Sequence, residues 1–442
     1  MRLKEIKILN FKGFQNKTIN FEGNPIVVIG NNTSGKTTLL KAIQIGLGAY
    51  LQSLTQLPGG TIYRRNFSSI DRYKFFDPIQ KDYIANSEKP RISIKAELTV
   101  TKDSCNGISF EAVPVSWYRE FSGNYTTHTK ACAGGLISFV QEMEYRRNIE
   151  KLTTIYPLVL SFGAKRTSDS QVRTTSKKKE RASRVEKAYK FALHDKVDFE
   201  GAFEWLKDYD KNIKDKKEFE GTREAFFEAI ETAIPALSET CFDKGELEAV
   251  VSIHGKNPER HHFSYMSDGL QAMINIVCEI AHRCIELNGC LGRDAIRLTP
   301  GVIMIDEVDV YLHPHWQRHV LNDLIKAFPN IQFIVSTHSP FIVQSLSKGQ
   351  LISFDENVNV EGNPSIEGLE DITSFRMGLE GQIRSKKFTE MVETAQKLFE
   401  AIDNGSADKD IIRKELCRIE AEFSEDPVYL AQLRLETKAR IK

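Results

Sequence analysis

One string near the start of the chain, Gly30-Asn31-Asn32-Thr33-Ser34-Gly35-Lys36-Thr37, fits the pattern G-x-x-x-x-G-K-[ST] and runs on into Thr38. It lies between a short apolar run, Pro25 to Ile29, and a segment with Leu39, Leu40, Ile43 and Leu47 at helical spacing. Strand, glycine loop and helix in that order confine this part of the chain to an α/β architecture. The two glycines let backbone N–H groups of Asn31, Asn32, Thr33 and Ser34 turn inward around phosphate oxygens, and the helix end adds its positive pole. Lys36 is positioned to reach the β- and γ-phosphates, and Thr37 to offer its hydroxyl to Mg²⁺. The loop alone says only that a nucleotide triphosphate is bound.

Three later strings narrow the chemistry. Val302-Ile303-Met304-Ile305-Asp306-Glu307 is an apolar strand ending in adjacent carboxylates. Asp306 is the expected Mg²⁺ partner, and Glu307 the group that orients or deprotonates attacking water. Ser336-Thr337-His338-Ser339-Pro340 ends the next strand, where the imidazole can donate to the γ-phosphate. Ser267-Asp268-Gly269-Leu270-Gln271 opens a long helix, and a Ser hydroxyl, a glycine and a helix N-terminus together suit an anion. Since the loop at Lys36 already holds the phosphates within one copy, Ser267, Asp268 and Gly269 are available to a nucleotide held by a second copy.

These four ordered motifs resemble the heads of ABC-type ATPases of the SMC/RecF/OLD group. Asn10-Phe11-Lys12-Gly13-Phe14 is similar to that group's N-terminal motif, whose basic residue, Lys12 here, lies near the nucleotide. Ile305 to Asp309, Leu312 to Arg318 and Phe328 to Ile334 resemble more narrowly the ATPase subunit of Septu and retron anti-phage systems. The resemblance covers roughly residues 1–50 and 260–355. It implies an ABC-ATPase head with a mixed sheet, flanking helices and an antiparallel β subdomain, with ATP and Mg²⁺ as cofactors. It also implies a homodimer or higher homo-oligomer, cross-dimer contacts by Asp309, and a separately encoded HNH nuclease as partner. Departures are Thr33 where relatives carry Gly or Asn, Met266 for Leu, Leu270-Gln271 for an aromatic–basic pair, and Tyr311 for His. The glutamine of the Q-loop has no clear position.

Composition sets further bounds. The chain has 442 residues, is 41% hydrophobic and 27% charged, and has zero formal net charge, so nucleic-acid contact needs a local patch. The stretch from Lys165 to Lys190 is rich in Lys and Arg; Arg64, Arg65, Arg72 and Lys74 interleave with Tyr63, Phe67, Tyr73 and Phe75, offering phosphate contacts and stacking surfaces. The seven cysteines form no Cys-x-x-Cys pair, and no apolar run approaches membrane length, which together suggest a reduced, cytoplasmic protein. The expected divisions are 1–165 for the first part of the head with a lid at 51–90, 166–260 for a helical insertion, 261–355 for the rest of the head, and 356–442 for a helical tail. No sustained heptad supports a coiled coil, and the long stretch between Lys36 and Ser267 disfavours a transporter head. His254, His261 and His262 lack the setting of an HNH site. The charged tail offers no buried-strand Glu and Asp-x-Asp for a Toprim nuclease, so no intrinsic nuclease is expected.

Overall fold

The apolar strand that precedes the glycine loop is buried at every position, and so are three others like it. In the computed structural model all residues are described except 105–106, 124, 165–181, 196–199, 244, 253–256, 356–357, 359, 379–385, 405–408, 423–426 and 441–442. The chain divides into a unit from Met1 to Gly378 and a smaller one from Leu379 to Lys442.

In the first unit, strands β1 (Arg2–Phe11) and β2 (Phe14–Asn20) form a hairpin, and β3 (Ile26–Ile29) leads into the glycine loop. A short hairpin, β4 (Lys74–Asp77) and β5 (Asp82–Ala85), precedes a long one, β6 (Arg91–Ser104) and β7 (Gly107–Glu120). Then follow β8 (Leu158–Phe162), β9 (Leu237–Asp243), β10 (Glu246–Val251), β11 (Glu259–His262), β12 (Gly301–Ile305), β13 (Ile331–Ser336) and β14 (Leu351–Ser353). Strands β3, β8, β12 and β13 are buried throughout, the pattern of a parallel sheet covered on both faces. They pair in the order β14-β3-β13-β12-β8, all parallel. β1, with Leu3, Ile6 and Ile8 buried on one face, joins an antiparallel sheet of order β2-β1-β6-β7.

The ABC-type head architecture expected from the sequence is present, with one correction. Parallel and antiparallel strands do not share a sheet: the five parallel strands pair with one another, and among the described residues β1, β2, β6 and β7 form their own antiparallel sheet. Gln332 ties the two sheets together. It lies on β13, is 2% exposed, accepts from Leu3 N at 2.7 Å and donates to Leu3 O at 3.1 Å. Helix α1 (Lys36–Ser53) is buried along most of its length and packs on the antiparallel sheet. The contact is close: a Cβ on Gly46 would lie 2.3 Å from Ile94 Cδ1, and Trp117 Nε1 donates to Gly46 O at 2.9 Å.

The remaining helices correct several boundaries. The first part of the head also contains α2 (Lys130–Asn148), whose weak apolar stripe hides it in the sequence. The expected helical insertion at 166–260 contains α3 (Arg184–Tyr189), α4 (Glu200–Lys214) and α5 (Thr222–Ala233). It then turns into the antiparallel meander β9, β10 and β11. The short alternation Leu247, Ala249, Val251 carried that strand signal. The lid segment 51–90 contains 3₁₀ turns and the β4–β5 hairpin. α6 (Asp268–Asn288) is nearly all buried. The tail divides at 378 and not at 355, since Pro364–Ile366 and Ile372–Arg376 belong to the first unit. Among its described residues the second unit has three helices, Lys386–Asp403, Lys409–Glu422 and Pro427–Arg440, around Ala395, Leu416, Ile419 and Leu433. The sequence does carry an Asp-x-Asp string at 408–410, and its Lys409 and Asp410 open a helix. No described helix is long and apolar enough to cross a membrane.

The tie between sheets is testable. Gln332→Leu leaves the Leu3 amide and carbonyl without these partners inside the protein, which should cost about 1–3 kcal/mol. Urea denaturation should show a lower midpoint for this variant, and an unchanged midpoint would contradict the assigned role.

Candidate nucleotide site

Because the central sheet is parallel, the C-terminal ends of β3, β12 and β13 meet at one edge, where open α/β sheets bind ligands. β3 runs into the loop Gly30–Gly35, and α1 starts at Lys36. Both glycines are forced. Gly30 has φ 148° and a Cβ there would lie 2.6 Å from Ser34 Oγ; Gly35 has φ 111° and a Cβ would lie 2.6 Å from the Phe14 ring. Thr33 has φ 71°, in the left-handed region that disfavours a β-branched residue, which is why Gly or Asn suits that position. Asn31, Asn32, Thr33 and Thr37 are exposed, and Thr38 is half-buried on the first helical turn.

Two features of the loop suit an anion. Ser34 Oγ is buried without a hydrogen-bond partner. The Lys36 ammonium donates to the carbonyls of Gly30 at 2.6 Å and Asn31 at 3.0 Å, so two of its three donors rest on its own loop. Burial pushes Lys36 below the usual lysine range, against the pull of Asp355, Asp306, Glu307 and Asp309. The Thr37 hydroxyl lies 3.0 Å from Asp306 Oδ2, so a hydroxyl and a carboxylate converge as a Mg²⁺ site requires. These residues fit a Mg²⁺-bound nucleoside triphosphate.

Asp306 also accepts from Ser336 Oγ on its other oxygen, and Ser336 Oγ accepts from Glu307 N at 2.8 Å. Glu307 therefore leaves the strand at φ 50°, a conformation that costs a non-glycine residue about 1 kcal/mol or more. The structure thus brings Lys36, Thr37, Asp306 and Glu307 together. The exposed His338 follows one strand over, and its amide donates to Asp309 Oδ1 at 3.4 Å. The same oxygen accepts from Thr337 Oγ1 at 2.6 Å, while Gln317 donates to Leu312 O and accepts from Ser339 Oγ. Asp309, expected from the resemblance to reach across a dimer, is occupied within its own chain in holding the His338 loop.

Ser267 caps α6, accepting from Leu270 N at 3.5 Å, and both Ser267 and Asp268 are exposed. Gly269 is required where it stands, since a Cβ would lie 2.4 Å from Tyr311 O. Gln271 donates to Met266 O at 2.9 Å, so the residue that departs from the family pattern fixes the turn before the helix. Lys12 is engaged elsewhere: its ammonium lies 3.3 Å from Asp71 and its amide donates to Asp71 O.

Of the basic patches, much of 165–190 lies outside the described residues, and Arg184 within it pairs with Glu218 and Glu286. Tyr63 and Phe67 are buried and offer no stacking surface, whereas Phe75 is exposed. His261 and His262 stand beside Glu259, Glu246 and Glu248 on and near the meander; His254 is outside the described residues.

Sequence reasoning missed Asp355. It follows β14, and both its carboxylate oxygens accept from Asn31 N, at 3.1 and 2.9 Å. No motif marks it, because only the pairing of β14 with β3 brings it to the loop. Its negative charge beside Lys36 competes with phosphate. Asp355→Asn keeps one acceptor for Asn31 and removes that charge, so it should tighten triphosphate binding by about three- to tenfold, roughly 1 kcal/mol. Titration with a fluorescent ATP analogue measures this, and weaker binding would contradict it.

The chain is similar to several known proteins. A family model described as "AAA domain" matches residues 5–238, and a second AAA-domain model matches 141–344. The chain is 24% identical to a retron Vc95 probable ATPase of Vibrio cholerae, over 80% of this chain and 74% of that protein. It is 31% identical to a Septu protein PtuA of Bacillus thuringiensis, over 32% of this chain and 40% of that protein. Among solved structures, the SMC head domain from Thermotoga maritima aligns with 82% of this chain and 97% of its own at 13% identity, with a TM-score of 0.40. The chain belongs to the AAA-domain family and is a P-loop ATPase related to the retron ATPases and Septu PtuA.

Proposed function

We propose that two copies of this chain close around ATP and that hydrolysis reopens them, controlling a partner nuclease in anti-phage defence. The observation that carries this reading is the division of the site. Lys36, Thr37, Asp306 and Glu307 converge, while the Ser267–Asp268 end of α6 stands exposed on the same chain. A helix N-terminus free on the surface suits the γ-phosphate held by a second copy.

In this reading the loop amides of Asn31 to Ser34 and the Lys36 ammonium bind the β- and γ-phosphates. Thr37 and Asp306 would hold Mg²⁺, which supplies charge neutralisation of those phosphates. Glu307, aimed by its left-handed backbone and by Ser336, orients the attacking water and accepts its proton. His338, steadied by Asp309 through Thr337, donates to the γ-phosphate. Lys12 would have to leave Asp71 to reach a nucleotide. ATP stabilises the closed pair only through its greater affinity for that state, so loss of the γ-phosphate loosens the interface. The resemblance to Septu and retron ATPase subunits supports a separately encoded HNH nuclease as the controlled partner; with zero net charge on the chain, any DNA contact would fall to local basic surfaces. The proposed chemistry is ATP hydrolysis, with DNA cleavage left to that partner.

Glu307→Gln should retain ATP binding and accumulate ATP-bound dimers by size-exclusion light scattering, while phosphate release falls by about 100-fold or more. Wild-type phosphate release in this variant would remove Glu307 from the chemistry. Mixing experiments address the shared site. Lys36→Ala and Ser267→Arg copies, each inactive alone, should recover part of the hydrolysis together, since the pair contains one intact composite site. No recovery beyond the sum of the two would reject sharing.

A further inference from the structure

Helix α1 borders a second concentration of positive charge, two turns and more beyond Lys36, or on the order of 12 Å along its axis. Arg119, on β7, is 0% exposed. Its guanidinium donates to Ile45 O at 2.8 Å, Arg65 O and Asn66 Oδ1 at 3.0 Å, and Gln52 Oε1 at 3.3 Å, none of them charged. Gly48 makes the room, for a Cβ there would lie 2.5 Å from Arg119 Nη1. The contacts to Arg65 O and Asn66 fix the segment that carries Arg64. Arg64 Nε and Arg119 Nε are both buried without a hydrogen-bond partner. Among the described residues, Asp195 is the carboxylate paired with this cluster, 3.4 Å from Arg65 Nη1.

Cations gathered this way repel one another, and a buried guanidinium without a counter-ion is costly. Burial and Arg64 lower Arg119 to about 9, and burial with Arg119 and Arg64 pushes His128 down to about 4, which keeps that imidazole neutral. Arg64, Arg65 and Asn66 line an open cavity of about 560 Å³, together with Thr61, Phe191, His194 and the Asp195 carboxylate. That volume suits a nucleotide-sized ligand.

We propose that Arg64 and Arg65, backed by buried Arg119, form an oxyanion site that takes a nucleotide phosphate, free or within a nucleic-acid strand, separate from the P-loop. Planar guanidinium forks match phosphate oxygens, and a bound anion adds counter-charge to three guanidiniums that share the one Asp195 carboxylate. Phe191 and His194, whose rings meet edge to face at 5.8 Å, provide an aromatic wall for a base. The site does not depend on the proposed ATP chemistry.

The test uses the full chain carrying Lys36→Ala, which removes the main phosphate ligand of the P-loop. Two probes are titrated separately, a fluorescein-labelled oligothymidylate followed by anisotropy and inorganic pyrophosphate followed by calorimetry. At least one should bind. Arg64→Gln combined with Arg65→Gln should then weaken that probe tenfold or more, while Arg64→Lys, which keeps the charge, should retain most of the affinity. Should the double variant melt at a lower temperature, Arg65→Gln alone, with its partly exposed side chain, should still give a severalfold loss. Binding of oligothymidylate alone assigns the phosphate to a nucleic-acid strand, and binding of pyrophosphate assigns it to a free metabolite; either supports the site. Failure of both probes to bind, or affinity indifferent to all of these substitutions, overturns it.

Discussion

A single carboxylate holds the working edge of this molecule together. Asp306, at the end of β12, accepts from Thr37 on α1 and from Ser336 at the end of β13, and Ser336 in turn accepts from the Glu307 amide. Three elements distant in sequence are thereby locked in one register, with the glycine loop at their centre. Each member is hydrogen-bonded, so the polar cluster is tolerated at the rim of an otherwise apolar sheet. Glu307 takes its left-handed backbone beside the same network, where its amide donates to Ser336 Oγ.

The rigid frame behind this edge explains why so few bonds suffice. Four consecutive strands of the central sheet are buried at every position, and Gln332 fastens β13 to the first strand of the antiparallel sheet through two hydrogen bonds. Helix α1 is pressed against that second sheet through Gly46 and Gly48. It therefore carries the P-loop at its start and the Arg119 cluster along its later turns.

Much of the site was legible in the chain. The glycine loop, the acidic strand end and the Ser-Thr-His string are local patterns, and their order alone placed Lys36, Thr37, Asp306 and Glu307 near one another. Less legible were residues whose part depends on a partner far away. Asp355 reaches Asn31 because β14 pairs with β3, and nothing in its own neighbourhood marks it. Lys12 and Asp309 matched a family pattern, yet Asp71 and Thr337 hold them within the chain. The meander at 237–262 was hidden by strands too short for a clear alternation, and α2 by an apolar stripe too weak to mark a helix.

What the sequence determined by itself is the chemistry of each local segment: where backbone amides turn inward, which strands are apolar on both faces, and which helix starts with a capping serine. These follow from spacing over a few residues, where sterics and hydrogen bonding act directly. Only the tertiary structure decided which charges meet. It seated Asp355 on the P-loop, set Arg64 beside buried Arg119, and kept the Ser267 end of α6 at the surface. Electrostatic partners are chosen by strand order and packing across the whole fold, and no short window of sequence contains that information.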